Sequence, residues 1–235
     1  MSDTSIQQKK YLDEQILYYR ARAGEYDDWY LRKGRYNYGE KWNTLWFKEV
    51  SQLKEELKRF SPKGRVLEIA AGTGWWTKEF VRYTGSLTAL DASSEVLLIN
   101  REKLGSSHIT YIQEDVMKWK PNKVYDVVFF SFWISHIPPK LFKKFWNVVR
   151  MSLKSNGRVF FIDNYQSERN VISGKSFRKT KSIINQRKLE DGREFNVIKI
   201  FYNPKALERK MSKLGWEISV ATTSNYFFYG CGKMK

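Results

Sequence analysis

The chain has 235 residues, of which 42% are hydrophobic, and a formal net charge of +17. This length supports one sizeable hydrophobic core and is short for two independent domains. The single cysteine, Cys231, rules out an internal disulfide, and with only two histidines the chain has too few soft ligands for a structural zinc site. The positive charge is compatible with a nucleic-acid partner or with an enzyme that acts on a small molecule.

The longest apolar stretch, Val127–Ile134, contains a serine and is far shorter than the roughly 20 residues that cross a bilayer. The beginning of the chain lacks the apolar core and the cleavage site of a secretory signal. We therefore expect no membrane-spanning segment and a cytoplasmic location.

Residues 1–60 are rich in tyrosine and tryptophan and show helical patterns that Gly34 and Gly39 interrupt. Apolar residues at helical spacing, together with Lys–Glu pairs, predict a helix from Thr44 to Phe60. The Ser-Pro-Lys-Gly sequence that follows ends this helix. We interpret the whole segment as an N-terminal aromatic helical cap.

In residues 64–163, short β-rich runs alternate with helical segments. The predicted strands are Arg65–Ala70, Ser86–Leu90, Thr110–Gln113, Val124–Ser131 and Arg158–Asp163, and the predicted helices are Thr77–Tyr83, Ser94–Lys103 and Pro139–Leu153. This alternation predicts an α/β fold with a doubly wound, mostly parallel sheet covered on both faces. The run Val127–Phe130 has no polar alternation, which is typical of a central strand.

Residues 164–202 form a basic insertion, in which Asp191-Gly192 between two β-like runs predicts a hairpin. Residues 203–235 contain a predicted helix, Lys205–Leu214, and two predicted strands, Trp216–Thr222 and Tyr226–Gly230. The chain is therefore predicted to be a single domain, residues 1–235, with a hairpin insertion before its last strands.

A glycine-rich turn, from Ala70 to Gly74, joins the first predicted strand to a helix. Such a turn lets backbone amides and a helix N-terminus approach a bound cofactor. Asp91 ends the next strand, 17 residues after Gly74, where a carboxylate accepts hydrogen bonds from ribose hydroxyls. A third strand ends at Glu114-Asp115-Val116, where a carboxylate and a neighbouring amide suit adenine. Each residue also has a purely structural interpretation, such as Asp91 capping the following helix.

These motifs, in this order and at these spacings, resemble the cofactor motifs of class I S-adenosylmethionine-dependent methyltransferases. The chain departs from the family pattern at Ala70, where that family usually has glycine. A third acidic motif and the lack of a recognisable nicotinamide half argue against a dinucleotide dehydrogenase. The resemblance implies S-adenosylmethionine as cofactor and these cofactor-binding residues: Tyr19, Glu68, Ala70, Gly72, Gly74, Trp76, Asp91, Ala92, Glu114, Asp115, Val116, Ser131, Phe132 and Trp133.

A narrower resemblance, from Leu12 to Gly230, is to small bacterial O-methyltransferases typified by the phosphonate methyltransferase of dehydrophos biosynthesis. Its signals are Tyr18-Tyr19-Arg20, the segment from Phe129 to Pro138, and Asp191-Gly192-Arg193 with the residues up to Lys199. This implies a small acidic acceptor. The chain lacks the Asn/Asp-Pro-Pro motif of amino-methylating nucleic-acid enzymes and a suitably placed nucleophilic cysteine. An RNA methyltransferase acting on ribose or a base nitrogen remains the alternative, since aromatic residues interleaved with Lys and Arg suit single strands.

Ligands of open α/β sheets bind outside the carboxyl ends of the strands, so we expect the methyl acceptor there. The candidate acceptor-binding residues are Tyr26, Tyr30, Trp133, His136, Asn164, Arg178 and Lys199. His136 has an unperturbed pKa close to neutrality and is therefore the candidate catalytic residue. It is a base for a hydroxyl acceptor, a hydrogen-bond donor to an anionic acceptor, or a structural residue. Arg193 and Lys199 lie about 20 Å apart on one extended strand, so at most one of them binds a small anion.

Overall fold

A computed structural model describes residues 3–105, 108–165 and 183–235. Its strands are β1 Arg65–Ile69, β2 Ser86–Asp91, β3 Ile109–Gln113, β4 Tyr125–Ser131, β5 Leu153–Asn164, β6 Ile184–Lys188, β7 Glu194–Ile198, β8 Trp216–Thr222 and β9 Phe227–Met234. Seven of them form one sheet in the order β3-β2-β1-β4-β5-β9-β8. Strand β9 is antiparallel to both of its neighbours, and the pairs among β1 to β5 are parallel. The predicted mostly parallel sheet is confirmed.

The α-helices of the described residues are α1 Asp3–Ala21, α2 Tyr26–Leu31, α3 Glu40–Phe60, α4 Thr77–Phe80, α5 Ser94–Leu104, α6 Phe142–Ser152 and α7 Pro204–Lys213. They cover both faces of the sheet. On β4, Val127 and Phe129 pack in the cluster with α3 and α4, whereas Val128 and Phe130 pack in the cluster with α6 and α7. The central strand is therefore buried on both faces, as its sequence predicts.

Several boundaries differ from the sequence predictions. Helix α3 begins at Glu40 rather than Thr44, directly after Gly39, whose φ of 85° precedes the first turn. The predicted helix from Pro139 begins with a 3-10 turn, and α6 starts only at Phe142. Strand β7 ends at Ile198, before Lys199 of the predicted extended strand, and beyond it the N–H of Ile200 donates to the carbonyl of Ser135, in the segment after β4, at 2.8 Å.

The predicted hairpin is present as the pair β6–β7, with Gly192 at a φ of 91° in its turn. Helix α1 lies against this hairpin. The Glu14 carboxylate accepts from the N–H of Asn196 at 2.6 Å, and the Gln15 side chain accepts from the N–H of Ile198 at 3.2 Å and donates to the carbonyl of His136 at 3.3 Å. The cap, the insertion and the segment after β4 are therefore joined.

Membrane-spanning helices are not found in the described part of the chain, where every helix is too short or too polar to cross a bilayer. The same ranges contain no cluster of three or more His, Cys, Asp or Glu side chains that would hold a metal ion.

Candidate functional site

Two adjoining cavities lie at the carboxyl ends of β1 and β4, where the strand order reverses direction. Such a switch point is the usual ligand site of an open α/β sheet. Ala70 directly follows β1 and Phe132 directly follows β4, and both have left-handed backbone conformations, with φ of 55° and 52°. These two turns open the crevice between the strands.

The glycine-rich turn is held by Asp91 at the end of β2. One carboxylate oxygen of Asp91 accepts from the N–H of Gly72 at 2.9 Å, and the other accepts from the N–H of Ser93 at 2.9 Å. Burial raises the pKa of Asp91. Gly74, with a φ of 87°, has no room for a side chain, because a Cβ there would lie 2.7 Å from Oδ1 of Asn100.

The cap is anchored to the same turn through Asp27. The hydroxyl of Thr73 donates to Asp27 at 2.5 Å, and the ammonium of Lys103 forms an ion pair with the same carboxylate. Lys103 also donates to the carbonyl of Thr73 at 3.0 Å. Helix α2 is thereby fixed beside the turn, with Tyr26 facing both cavities.

The first cavity, which we call the acidic cavity, brings together most of the predicted cofactor-binding residues. Those that line it are Tyr19, Ala70, Gly72, Asp91, Ala92, Glu114, Asp115, Val116, Ser131, Phe132 and Trp133. Three carboxylates, those of Asp91, Glu114 and Asp115, face it, and its described lining contains no Lys or Arg.

Three predicted cofactor-binding residues, Glu68, Gly74 and Trp76, do not line this cavity. Glu68 and Trp76 are 1% and 2% exposed and lie inside the core. Burial raises the pKa of Glu68 to about 8, so this carboxyl is largely protonated at neutral pH. Gly74 faces Asn100 of α5. These three residues stand behind the turn and shape it.

The second cavity, which we call the basic cavity, shares Tyr19, Tyr26 and Phe132 with the acidic one. Of the predicted acceptor-binding residues, Tyr26, His136, Asn164 and Lys199 line it. Trp133 faces only the acidic cavity, and Tyr30 is buried in a stack on Trp75, with ring centroids 4.4 Å apart. Tyr30 lines neither cavity because this stacking directs its ring into the core. Arg178 lies outside the described residues.

His136 is buried at the junction of the cap and the hairpin. Its Nδ1 lies 2.5 Å from the carbonyl oxygen of Ile198, which only accepts, so Nδ1 carries the hydrogen. Its Nε2 is then an acceptor and lies 3.0 Å from the hydroxyl of Tyr19. Burial, followed by the charge of Lys199, holds the pKa of His136 well below its usual value. The ring is therefore neutral, and the lone pair of its Nε2 accepts from the Tyr19 hydroxyl.

Lys199 and Asp163 form a buried ion pair at the wall of the basic cavity, 3.2 Å apart and 4% and 0% exposed. The Lys199 ammonium also donates to the Ser135 hydroxyl and to the Asn164 side chain, both at 2.8 Å. An ammonium has three hydrogens, so all of its donors are used within the protein. Arg193, the other cation considered on this strand, is exposed and pairs with Asp191 at 2.6 Å.

The sequence predictions missed two arginines of the cap. Arg22 and Arg32 line the basic cavity and are only 9% and 5% exposed. Their guanidinium groups lie over aromatic rings, at 4.8 Å from Tyr26 for Arg22 and 3.3 Å from Trp46 for Arg32. The available signal was the interleaving of Arg and Tyr between residues 18 and 38. Arg187 of β6 also lines this cavity, whereas none of its described lining residues is Asp or Glu.

Comparison with known proteins agrees with this geometry. A family model described as a methyltransferase domain matches residues 66–157. The chain is 30% identical to DhpI in a complex with SAH, over 95% of this chain and 97% of that chain, with a TM-score of 0.78. A second DhpI structure, a complex with SAM and HEP, has the same identity and the same TM-score and covers 94% of this chain and 96% of that chain.

More distant relatives match less of the molecule. The ubiquinone/menaquinone biosynthesis C-methyltransferase UbiE of Pseudomonas aeruginosa is 29% identical over 126 residues, which is 50% of this chain and 48% of that protein. A malonyl-[acyl-carrier protein] O-methyltransferase of Ilyobacter polytropus is 28% identical over 99 residues, or 41% of this chain and 38% of that protein. The chain spans about half the length, or less, of the curated relatives it matches. The glycopeptide N-methyltransferase MtfA with bound SAH shares the fold, with a TM-score of 0.58 and 18% identity. The match covers 78% of this chain and 89% of the MtfA chain.

Proposed function

Since this chain belongs to the class I S-adenosylmethionine-dependent methyltransferases, we propose that it methylates an oxygen of a small acidic acceptor bound in the basic cavity. The enzyme uses S-adenosylmethionine, and we place this cofactor in the acidic cavity. The observation that carries the proposal is the opposite charge of two cavities that share Tyr19, Tyr26 and Phe132.

The acidic cavity suits a cofactor that presents hydrogen-bond donors and a positive sulfonium. The carboxylates of Asp91, Glu114 and Asp115 are the acceptors for ribose hydroxyls and for amino groups. The N–H of Asp115 is occupied by the Glu114 side chain at 3.0 Å, so Val116 is left as the amide for an adenine nitrogen. The rings of Tyr19 and Tyr26 at the junction provide the aromatic faces that a sulfonium favours.

The basic cavity suits an acceptor that is already an anion. When bound, S-adenosylmethionine would supply an electrophilic methyl group and leave as SAH, and the residues of the basic cavity would hold an anionic oxygen in line with it, so that no base is required. The protein's task is then mainly to hold the partners in line, which contributes a large part of the rate. Arg22 and Arg187 attract the acid, and Tyr19, held by the neutral ring of His136, marks the junction. We assign His136 a positioning role on this basis.

Two further points support a small acceptor. DhpI, which matches nearly all of this chain, is described in complex with SAM and HEP, and a second bound ligand beside the cofactor fits a chain with two adjoining cavities. The aromatic side chains of the cap enclose the basic cavity, since Tyr18, Trp29, Tyr36 and Tyr38 all line it. The alternative acceptor is RNA, which the net charge of +17 and the aromatic residues interleaved with Lys and Arg favour.

The test is a screen for SAH release with small carboxylic and phosphonic acids, phenols, amines and RNA as acceptors. We expect release with one class of small acids and a methyl ester as the product by mass spectrometry. The Asp91→Ala variant serves as the cofactor control and should release much less SAH with the same acid. Stoichiometric labelling of one site in RNA, or methylation of an amine alone, would overturn the proposal.

A further inference from the structure

Arg32 is a buried cation without an anionic partner among the described residues. It forms no ion pair and no hydrogen bond through its side chain with residues 3–105, 108–165 or 183–235, and its Nε is enclosed without an acceptor. The groups that raise its pKa are tyrosines, while burial lowers it to about 10. A buried charge is normally paired and hydrogen-bonded. Arg32 therefore lacks, among the described residues, the anionic partner that a buried guanidinium normally has.

The terminal nitrogens of Arg32 have no acceptor among the described residues and are the groups that a ligand would meet. Its guanidinium lies 3.3 Å from the centre of the Trp46 ring, and the rings of Tyr38 and Tyr226 are 5.1 and 5.6 Å away. A guanidinium that stacks by its face keeps its N–H edges in the plane, where they match a carboxylate or phosphate in bidentate geometry. Glu49, one helical turn from Trp46, does not serve, because its oxygens accept from Thr223, Asn225 and Tyr226.

Arg32 and Arg22 lie over different aromatic rings of the basic cavity. Arg22 lies over Tyr26, which faces both cavities, and over Tyr18 and Tyr36. The rings over which Arg32 lies, those of Trp46, Tyr38 and Tyr226, line only the basic cavity, while Tyr36 acts electrostatically on both arginines. The cavity therefore has a cation at the junction and a second cation away from it.

We propose that Arg32 is a second anion subsite of the basic cavity, so that the acceptor carries two acidic groups. One group lies at the junction and receives the methyl group, and the other is bound by Arg32. This inference rests on the proposed function and names its substrate class as a bis-anion, with carboxylate or phosphate-type groups at its two ends. A separate small anion would bind to Arg32 by the same chemistry. The experiment distinguishes such an ion from a second acidic group of the acceptor.

The experiment uses isothermal titration of the SAH-saturated protein with acetate, as the probe with one acidic group, and with the dicarboxylates from malonate to adipate. We expect at least one dicarboxylate to bind about tenfold or more tightly than acetate, because charge-assisted hydrogen bonds contribute at both ends. Arg32→Gln should lose about ten- to hundredfold in affinity for that dicarboxylate and less than about twofold for acetate. The matched control is Arg59→Gln, which removes the same charge from a side chain that is 73% exposed on α3.

Arg32→Gln should bind SAH as the unaltered protein does, which shows that it is folded, and Arg32→Lys, which keeps the charge but loses the fork, should show an intermediate affinity. The proposal is overturned if no dicarboxylate exceeds acetate, or if Arg32→Gln weakens both probes equally. It is also overturned if acetate fills two independent sites, one of them lost in Arg32→Gln, because Arg32 then holds a separate ion. Failure of the proposed function appears elsewhere, as absent SAH binding or as methyl transfer to RNA.

Discussion

The acidic and basic cavities meet at three aromatic residues but are built in different ways. The acidic cavity takes its carboxylates from the ends of β2 and β3, within 25 residues of one another in the chain. The basic cavity takes its cations from the cap and, more than 150 residues later in the chain, from β6 and the segment after β7. Sheet topology alone places the first set. The second set depends on the packing of α1 against the hairpin and of the hairpin against the segment after β4.

The cations of the basic cavity also differ among themselves. Lys199 has every donor hydrogen bonded inside the protein, whereas Arg22 bonds only the Tyr36 hydroxyl, at 3.1 Å, among the described residues. A cation that is fully paired supports the fold, and one that is not is available to a ligand. On this distinction we predict that Lys199 mainly supports the wall of the site, and the following experiments test both halves of the comparison.

The largest effect is expected for Lys199→Met. Removing the cation leaves the Asp163 carboxylate buried without its ion pair, which costs about 3 kcal/mol or more in the free energy of unfolding. Urea denaturation monitored by tryptophan fluorescence measures this loss. The control is Lys205→Met, since Lys205 is 76% exposed, pairs with Glu208 on the surface, and should contribute less than about 1 kcal/mol. Equal losses in the two variants would contradict the structural role of Lys199.

The acidic side of the comparison is tested by Asp91→Ala. This change removes the acceptor of the Gly72 amide and the carboxylate proposed to bind the ribose, so SAM affinity should fall by about ten- to hundredfold. Calorimetry measures the affinity. Asp191→Ala is the matched control, because Asp191 lies in the exposed hairpin turn and faces Arg193. Unchanged SAM affinity in Asp91→Ala would remove this residue from the cofactor site.

Much of the acidic side was predictable from the sequence, and less of the basic side. The turn from Ala70 to Gly74, Asp91 and Glu114-Asp115 follow from local motifs, because each lies at the end of a strand whose position the alternation fixes. Arg32 gives no such signal. Its burial results from Trp46 on α3 and Tyr226 directly before β9, and no local pattern brings these three residues together. The same holds for the contact of His136 with Ile198, 62 residues away.

A smaller effect is expected at His136, which tests whether the junction needs a base. If the acceptor is an anion, His136→Ala should lower kcat/KM by about tenfold, the value of one hydrogen bond that positions Tyr19. His136→Gln supplies an oxygen that accepts from Tyr19 and should restore most of this loss. A general base for a hydroxyl acceptor would instead give losses of about 10²–10⁴ in both variants. The assay uses the acid identified in the screen.

The pH dependence gives an independent check on His136. Its pKa in the folded protein lies below the ordinary value of 6.5, so the neutral ring contributes stability above pH 6.5 that is lost as the pH falls below it. Unfolding free energies of the unaltered protein should therefore decline more steeply below pH 6.5 than those of His136→Gln. Parallel pH profiles of the two proteins would show that the ring is not buried in its neutral form.

The smallest effect is expected for Ala70→Gly, at the edge of the acidic cavity. Ala70 has a φ of 55°, a conformation that is unfavourable for a residue with a Cβ by about 1–2 kcal/mol. Glycine relieves this strain but gains about 0.4–1 kcal/mol of conformational freedom in the unfolded chain, so the two effects largely cancel. We expect a stability change within about 1 kcal/mol by thermal denaturation, and unchanged SAM affinity by calorimetry. Gly72→Ala is the contrasting variant, because a Cβ is unfavourable at its φ of 55° and the added methyl group would enter the acidic cavity that Gly72 lines, in ordinary contact with the Tyr26 ring at 3.8 Å. It should lose both stability and SAM affinity. If Ala70→Gly weakened SAM binding as much as Gly72→Ala does, the methyl group of Ala70 would itself be a cofactor contact, and the backbone path would not be what defines this edge of the acidic cavity.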